Sequence, residues 1–177
     1  MRRSSAVLSL EEALLDRLRT EPRLPADSIM RESITRDPGL YVWYEKDSRR
    51  PSYVGKATGR RGLRGRIWSQ HLNPNYLEVR PEKQTQEDRR QLRHGVRHNQ
   101  RPAIEKSAFR KALARRFDLA PGQPVVEFIR ERYELALLPL PHETHRAILT
   151  IEYSLIATLS PLLNRSGNSK SEAKNAV

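Results

Sequence analysis

The spacing of hydrophobic positions changes along this chain, and each change predicts an element. Leu10, Leu14, Leu15 and Leu18 recur at helical spacing as far as Pro22, behind a Ser9-Leu10-Glu11-Glu12 run that has the form of a capping box. One short amphipathic helix is expected, its apolar stripe packed either on the main body or on a second copy. After the turn signal Asp37-Pro38-Gly39, the run Leu40-Tyr41-Val42-Trp43-Tyr44 is dense in aromatic and β-branched residues. Polar residues 45–50 follow, then Pro51-Ser52-Tyr53-Val54-Gly55, which together predict a β-hairpin with Pro51 at a strand start, where its missing N–H is tolerated. The basic, glycine-punctuated loop Thr58-Gly59-Arg60-Arg61-Gly62 leads into a helix whose inner face is Leu63, Ile67 and Trp68 and which ends near His71.

Residues 73–105 have no clear period. Ser107 then opens a helix to Phe117, with Phe109, Leu113 and Phe117 expected inward and its arginines outward. Ala120-Pro121-Gly122-Gln123-Pro124 breaks the chain, Val125 to Arg132 predicts a short helix, and Tyr133 to Leu138 a third strand ended by Pro139. The last helix runs from Glu143 to Leu159 and is closed by Ser160-Pro161; from Ser166 the polar sequence predicts disorder. With 177 residues there is room for one core. The expected division is a helical appendage (1–36), one domain (37–165) with an insertion at about 73–132, and a tail (166–177).

Composition narrows the function. No 19-residue apolar window exists and mean hydropathy is −0.75, so no bilayer-spanning segment is expected. Charges at Glu11 and Glu12 interrupt the basic start before a secretory core forms, and the expectation is a soluble, cytoplasmic protein. Without cysteine there are no disulfides, thiolate metal sites or cysteine nucleophile. The net charge is +12, and 26 of the 33 basic residues are arginine, whose planar fork grips phosphate oxygens in pairs. Segment 80–116 alone holds twelve basic and four acidic residues. A nucleic-acid partner is therefore favoured over a membrane surface, since the arginines are dispersed and no lipidation motif occurs. Arg89, Arg90, Arg93, Arg110, Lys111 and Arg115 are the expected phosphate-contacting face, with Lys56, Arg60, Arg61 and Arg64 nearer the hairpin. His94 and His98, spaced i, i+4, have no third metal ligand and read as incidental or DNA-facing.

On a wheel of 100° per residue, Ile148, Ile151, Leu155 and Leu159 form the apolar stripe of the last helix, and Glu152 falls inside it. A buried carboxylate needs a cation, a hydrogen-bond cluster or a wet cleft, which leaves a structural arginine partner or a metal or catalytic role.

Gly39-Leu40-Tyr41, then Tyr53-Val54-Gly55-Lys56, then Leu63-Arg64-Gly65-Arg66-Ile67, Glu152, and Pro161-Leu162-Leu163-Asn164 follow one another in an order that resembles the GIY-YIG nuclease family. The resemblance covers about residues 38–165 and fits poorly over 73–132. It implies an α+β fold, with a small three-stranded antiparallel sheet flanked by helices, and metal-dependent hydrolysis of phosphodiester bonds in DNA. On this resemblance Glu152 would hold Mg²⁺ or Mn²⁺, Arg66 would neutralise charge on the scissile phosphate, and Tyr53 would help activate water. Tyr41 would position water or phosphate, and Asn164 would orient the metal or brace its loop. Where some members place a histidine or tyrosine four residues after the arginine, this chain has Gln70, and His71 lies one further. On an α-helix that turns His71 about 140° from Arg66, leaving Arg64 with His71 as a rival pair and His71 a general base of uncertain address. A non-catalytic nucleic-acid binder and an RNA nuclease remain the alternatives.

Overall fold

Leu40, Val42 and Tyr44 alternate with Tyr41 and Trp43 along one strand, yet all five are buried. Such a strand needs cover on both faces, and the fold supplies it. The computed structural model describes residues 5–48 and 50–164; the expected tail lies outside the described residues. In chain order the elements are α1 (Ser5–Thr20), β1 (Leu24–Pro25), β2 (Gly39–Glu45), β3 (Pro51–Ala57), α2 (Gly62–Arg66) continued by a π-helical turn over Ile67–His71, β4 (Leu77–Glu78), β5 (Arg97–His98), β6 (Arg101–Pro102), β7 (Ile104–Glu105), α3 (Ala108–Phe117), α4 (Gln123–Arg132), β8 (Tyr133–Pro139) and α5 (His145–Leu159).

The main sheet is antiparallel in the order β1-β8-β2-β3. Three long strands match the expected α+β arrangement. The fourth, two residues long and pairing Leu24 with Leu135, is too short to leave a period in the sequence. On one face, Tyr41 and Trp43 pack with Leu63, Ile67, Phe109, Leu113 and Ile129. On the other, Leu40, Val42 and Val54 pack with Ile148, Ile151 and Leu155 of α5 and with Leu14 and Leu18 of α1. The first helix thus docks on this chain's own core. It also begins at Ser5, so Ser9 sits within the helix instead of capping it.

The insertion is built of short elements. Its first part forms short 3₁₀ turns and two-residue ladders, β4 with β7 and β5 with β6, whose few residues show no sequence period. His94 ends a 3₁₀ turn, Gly95 turns left-handed at φ 68°, and His98 lies on β5, so the two histidines do not share a helix face.

The edge of β3 is covered by the chain leaving α5. Leu163 N–H donates to Ser52 O at 2.8 Å, and the Asn164 amide accepts from Val54 N–H and donates to Val54 O, both at 2.8 Å. Asn164 thereby stands in for a neighbouring strand and satisfies an exposed edge. These bonds tie the chain after α5 to β3.

Candidate active site

Tyr41 faces Gly55 across the β2–β3 pair. A Cβ at Gly55 would lie 2.3 Å from the Tyr41 hydroxyl oxygen, so only glycine lets that ring cross the strand here. Tyr53 stacks on Tyr41 at a centroid distance of 6.3 Å. Lys56, one residue beyond Gly55, points to the opposite face by strand alternation. There its Nζ meets Glu152 Oε2 of α5 at 2.5 Å.

Arg66 is set by the docking of α2. Gly62, at φ +49°, has no room for a Cβ against Arg36 O, and the amides of Leu63 and Arg64 donate to Asp37 O and Thr35 O. These bonds use the free amides of the first helical turn. Arg64 then donates to Ile34 O at 2.7 Å, which fixes it to the backbone on which α2 is seated. Arg66 instead donates to Gln70 Oε1 at 2.7 Å and remains half-buried beside the phenols. Of the two rival arginines, Arg66 is the one whose charge reaches Tyr41, Tyr53 and His71.

The 140° offset expected for His71 is removed by the π turn. Leu72 N–H donates to Ile67 O, five residues back, so the turn takes up one extra residue and returns His71 to the site. Its Nε2 lies 2.8 Å from the Tyr41 hydroxyl and its Nδ1 lies 2.8 Å from Ser107 Oγ. With Nδ1–H donated to Ser107, Nε2 is the acceptor for the Tyr41 hydroxyl, an assignment made from the network. Burial, then the charges of Arg66 and Arg110, hold the imidazole well below its ordinary range, so it is neutral at physiological pH. Burial raises Tyr41, Tyr53 and Glu152 raise it further, and Arg66 opposes them. Tyr53 is pushed up to about 12 by burial and by Glu152, against Arg66.

Tyr41, Tyr53, Arg66 and His71 therefore gather on one side of β3, and Lys56 with Glu152 on the other, all around one edge strand. A cleft of about 430 Å³ lies beside Arg66, lined by the 57–62 loop, Gly65, Arg66, Gln70 and Tyr76. Arg66 belongs to both. Arg60 and Arg61 stand exposed on this loop.

Ser107 entered the sequence reading only as a helix start. Its site position comes from a bond across 36 residues, for which no local signal exists.

The expected outward face of α3 is corrected. Arg110 and Glu105 are each 0% exposed: Nη2 donates to Oε1 at 2.9 Å, and Nε lies 2.6 Å from Oε2 in a contact too bent for a hydrogen bond. Arg110 also donates to Gln70 O and Asn73 O, clamping the end of the π turn. Its position in α3 places it inward with Phe109 and Leu113. Lys111 and Arg115 pair with buried Asp88 at 2.6 and 3.1 Å. Burial raises that carboxyl, but the Lys111 hydrogen bond and the charges of both cations hold it below the usual range. Arg93 pairs with Asp118, whereas Arg89 and Arg90 are exposed.

Among the described residues no group of three or more His, Asp or Glu side chains is arranged to hold a metal. Glu152 alone fits Mg²⁺ or Mn²⁺ bound through one carboxylate, water and phosphate, and does not fit a metal caged by protein. The Lys56 ammonium already holds its Oε2, so a metal there would have to share or displace that partner. Because that side chain is 28% exposed, its flexible stem has room to move to a phosphate. No described helix is long and apolar enough to cross a membrane. Comparison with family models, curated proteins and solved structures returned no match.

Proposed function

We propose that the chain is a divalent-metal-dependent endonuclease that hydrolyses DNA phosphodiester bonds with a GIY-YIG-like core. The observation that carries this reading is the gathering of two phenols, a neutral buried imidazole, a guanidinium and a carboxylate paired with Lys56 around β3, from four separate stretches of chain. A cation bound at Glu152 would supply an acidified water and neutralise a phosphate oxygen. The chain's own residues do the rest. Arg66, braced by Gln70, meets the charge that grows on the phosphate oxygens in the transition state. Tyr53 is neutral at working pH and acts as an O–H donor that orients phosphate or water. The Tyr41 oxygen accepts the proton leaving water as its own passes to His71 Nε2, while Ser107 keeps Nδ1 occupied.

A second reading, a nucleic-acid binder without catalysis, is favoured by the Lys56–Glu152 pair, which satisfies the buried carboxylate from within. Incubation of the protein with supercoiled plasmid and with structured RNA, in Mg²⁺ or EDTA, separates the readings. Mg²⁺-dependent nicking or linearisation of plasmid is expected. Retardation of both nucleic acids without cutting supports the binder, and cutting of RNA alone assigns the chemistry to RNA.

A further inference from the structure

The β5–β6 ribbon has no part in the chemistry above. Its strands pair Arg97 with Pro102 and His98 with Arg101, joined by Asn99 and Gln100 at φ 49° and 61°. Two successive left-handed residues make the tight hairpin turn for which Asn-Gly is the favoured sequence. Asn tolerates that conformation; Gln at the second position carries strain there, its carbonyl held by Arg97 Nη2 at 2.6 Å while the residue stays exposed. Strain kept at an exposed tip points to a use for the side chain. Arg97, Asn99, Gln100 and Arg101 are exposed, and among the described residues no carboxylate pairs with Arg97, His98 or Arg101.

The base of the ribbon is firmly mounted. Ala103 N–H donates to Val96 O, Ala103 and Ile104 are buried, and Glu105 is held by Arg110 and by the Gln91 side chain. From Arg101 the chain reaches Ser107, the partner of His71, within six residues. That distance is at most about 20 Å, roughly six base-pair steps.

We propose that this ribbon reads DNA sequence, placing Asn99 and Gln100, flanked by Arg97 and Arg101, in the major groove beside the cut. The choice of DNA rests on the function proposed above. The major groove admits a two-stranded ribbon, and Asn, Gln and Arg are the side chains whose paired donors and acceptors match adenine and guanine edges there.

The test is selection from a randomised duplex DNA pool by the full chain, with Ca²⁺ in place of Mg²⁺, followed by sequencing. The Asn99→Gly/Gln100→Gly double variant keeps the left-handed turn and removes both side chains. The wild type is expected to enrich a short sequence. The double variant is expected to lose about tenfold to a hundredfold discrimination at one or two adjacent base pairs, with affinity for unselected duplex within about threefold. An unchanged enriched sequence in the variant, or none in the wild type, overturns the proposal. A wild type that enriches a sequence but never cuts plasmid in Mg²⁺ removes the endonuclease and leaves the ribbon; one that cuts while the variant selects unchanged sites does the reverse.

Discussion

Two basic regions of this chain treat their charges differently. Around β3, Lys56 and Arg66 are partly open to solvent, and each has a partner it can leave: a carboxylate at a partly exposed ammonium, a neutral amide at the guanidinium. In α3, Arg110, Lys111 and Arg115 are spent on Glu105 and Asp88, carboxylates with side chains no more than 2% exposed. Both regions look alike in a count of arginines. The difference teaches that a run of basic residues predicts a phosphate-binding face only after its internal anions are subtracted. Segment 80–116 contains few acids, but the fold brings two of them directly under its helix.

The comparison breaks most sharply at Glu152. Glu152→Gln should lower plasmid cleavage on the order of ten-thousandfold, ~5 kcal/mol on the barrier, with thermal unfolding and gel-shift affinity nearly unchanged. Equal loss of binding would make the carboxylate a structural one. Arg110→Ala should cost about 3–5 kcal/mol of stability in denaturant titration, because it strands a buried carboxylate. A stable variant that merely binds DNA more weakly would return Arg110 to the surface set.

Next comes Arg66→Ala, expected to lower kcat about a hundredfold to a thousandfold, while Arg64→Ala leaves kcat alone and costs about 1 kcal/mol of stability through its lost bond to Ile34 O. The reverse outcome would exchange the two arginines.

A smaller effect follows from His71. Its folded pKa lies below the unfolded value near 6.5, so the unfolded state binds the extra proton. Its contribution to stability is fully present above pH 6.5 and is lost as pH falls, by up to about 2 kcal/mol at pH 5. The denaturant midpoint of His71→Gln should therefore depend less on pH between 7 and 5 than that of the wild type. Equal slopes would mean that the imidazole is not held neutral. The smallest effect is expected for Arg89→Ala/Arg90→Ala: a few-fold weaker DNA binding and a shallower salt dependence, against no change in the salt slope for Lys111→Ala.

Much of the framework was legible because it is local. The aromatic and β-branched run 40–44 announced a strand, the hairpin and α5 were bounded by proline and turn residues, and the wheel placed Glu152 on the buried stripe. Each of these depends on residues within a few turns or strand positions of one another. The sequence also limited what could carry chemistry, by its lack of cysteine and its excess of arginine.

Tertiary structure alone decided the partners. It gave Glu152 to Lys56, Asn164 to the edge of β3, Ser107 to His71 and Arg110 to Glu105, choices made by packing between segments whose spacing in the chain carries no information about their distance in space. It also decided the address of His71. One residue more or less in a helical turn changes a side chain's direction by about 100°, and the π turn that absorbs it carries the Arg110 hydrogen bonds to Gln70 O and Asn73 O at its end.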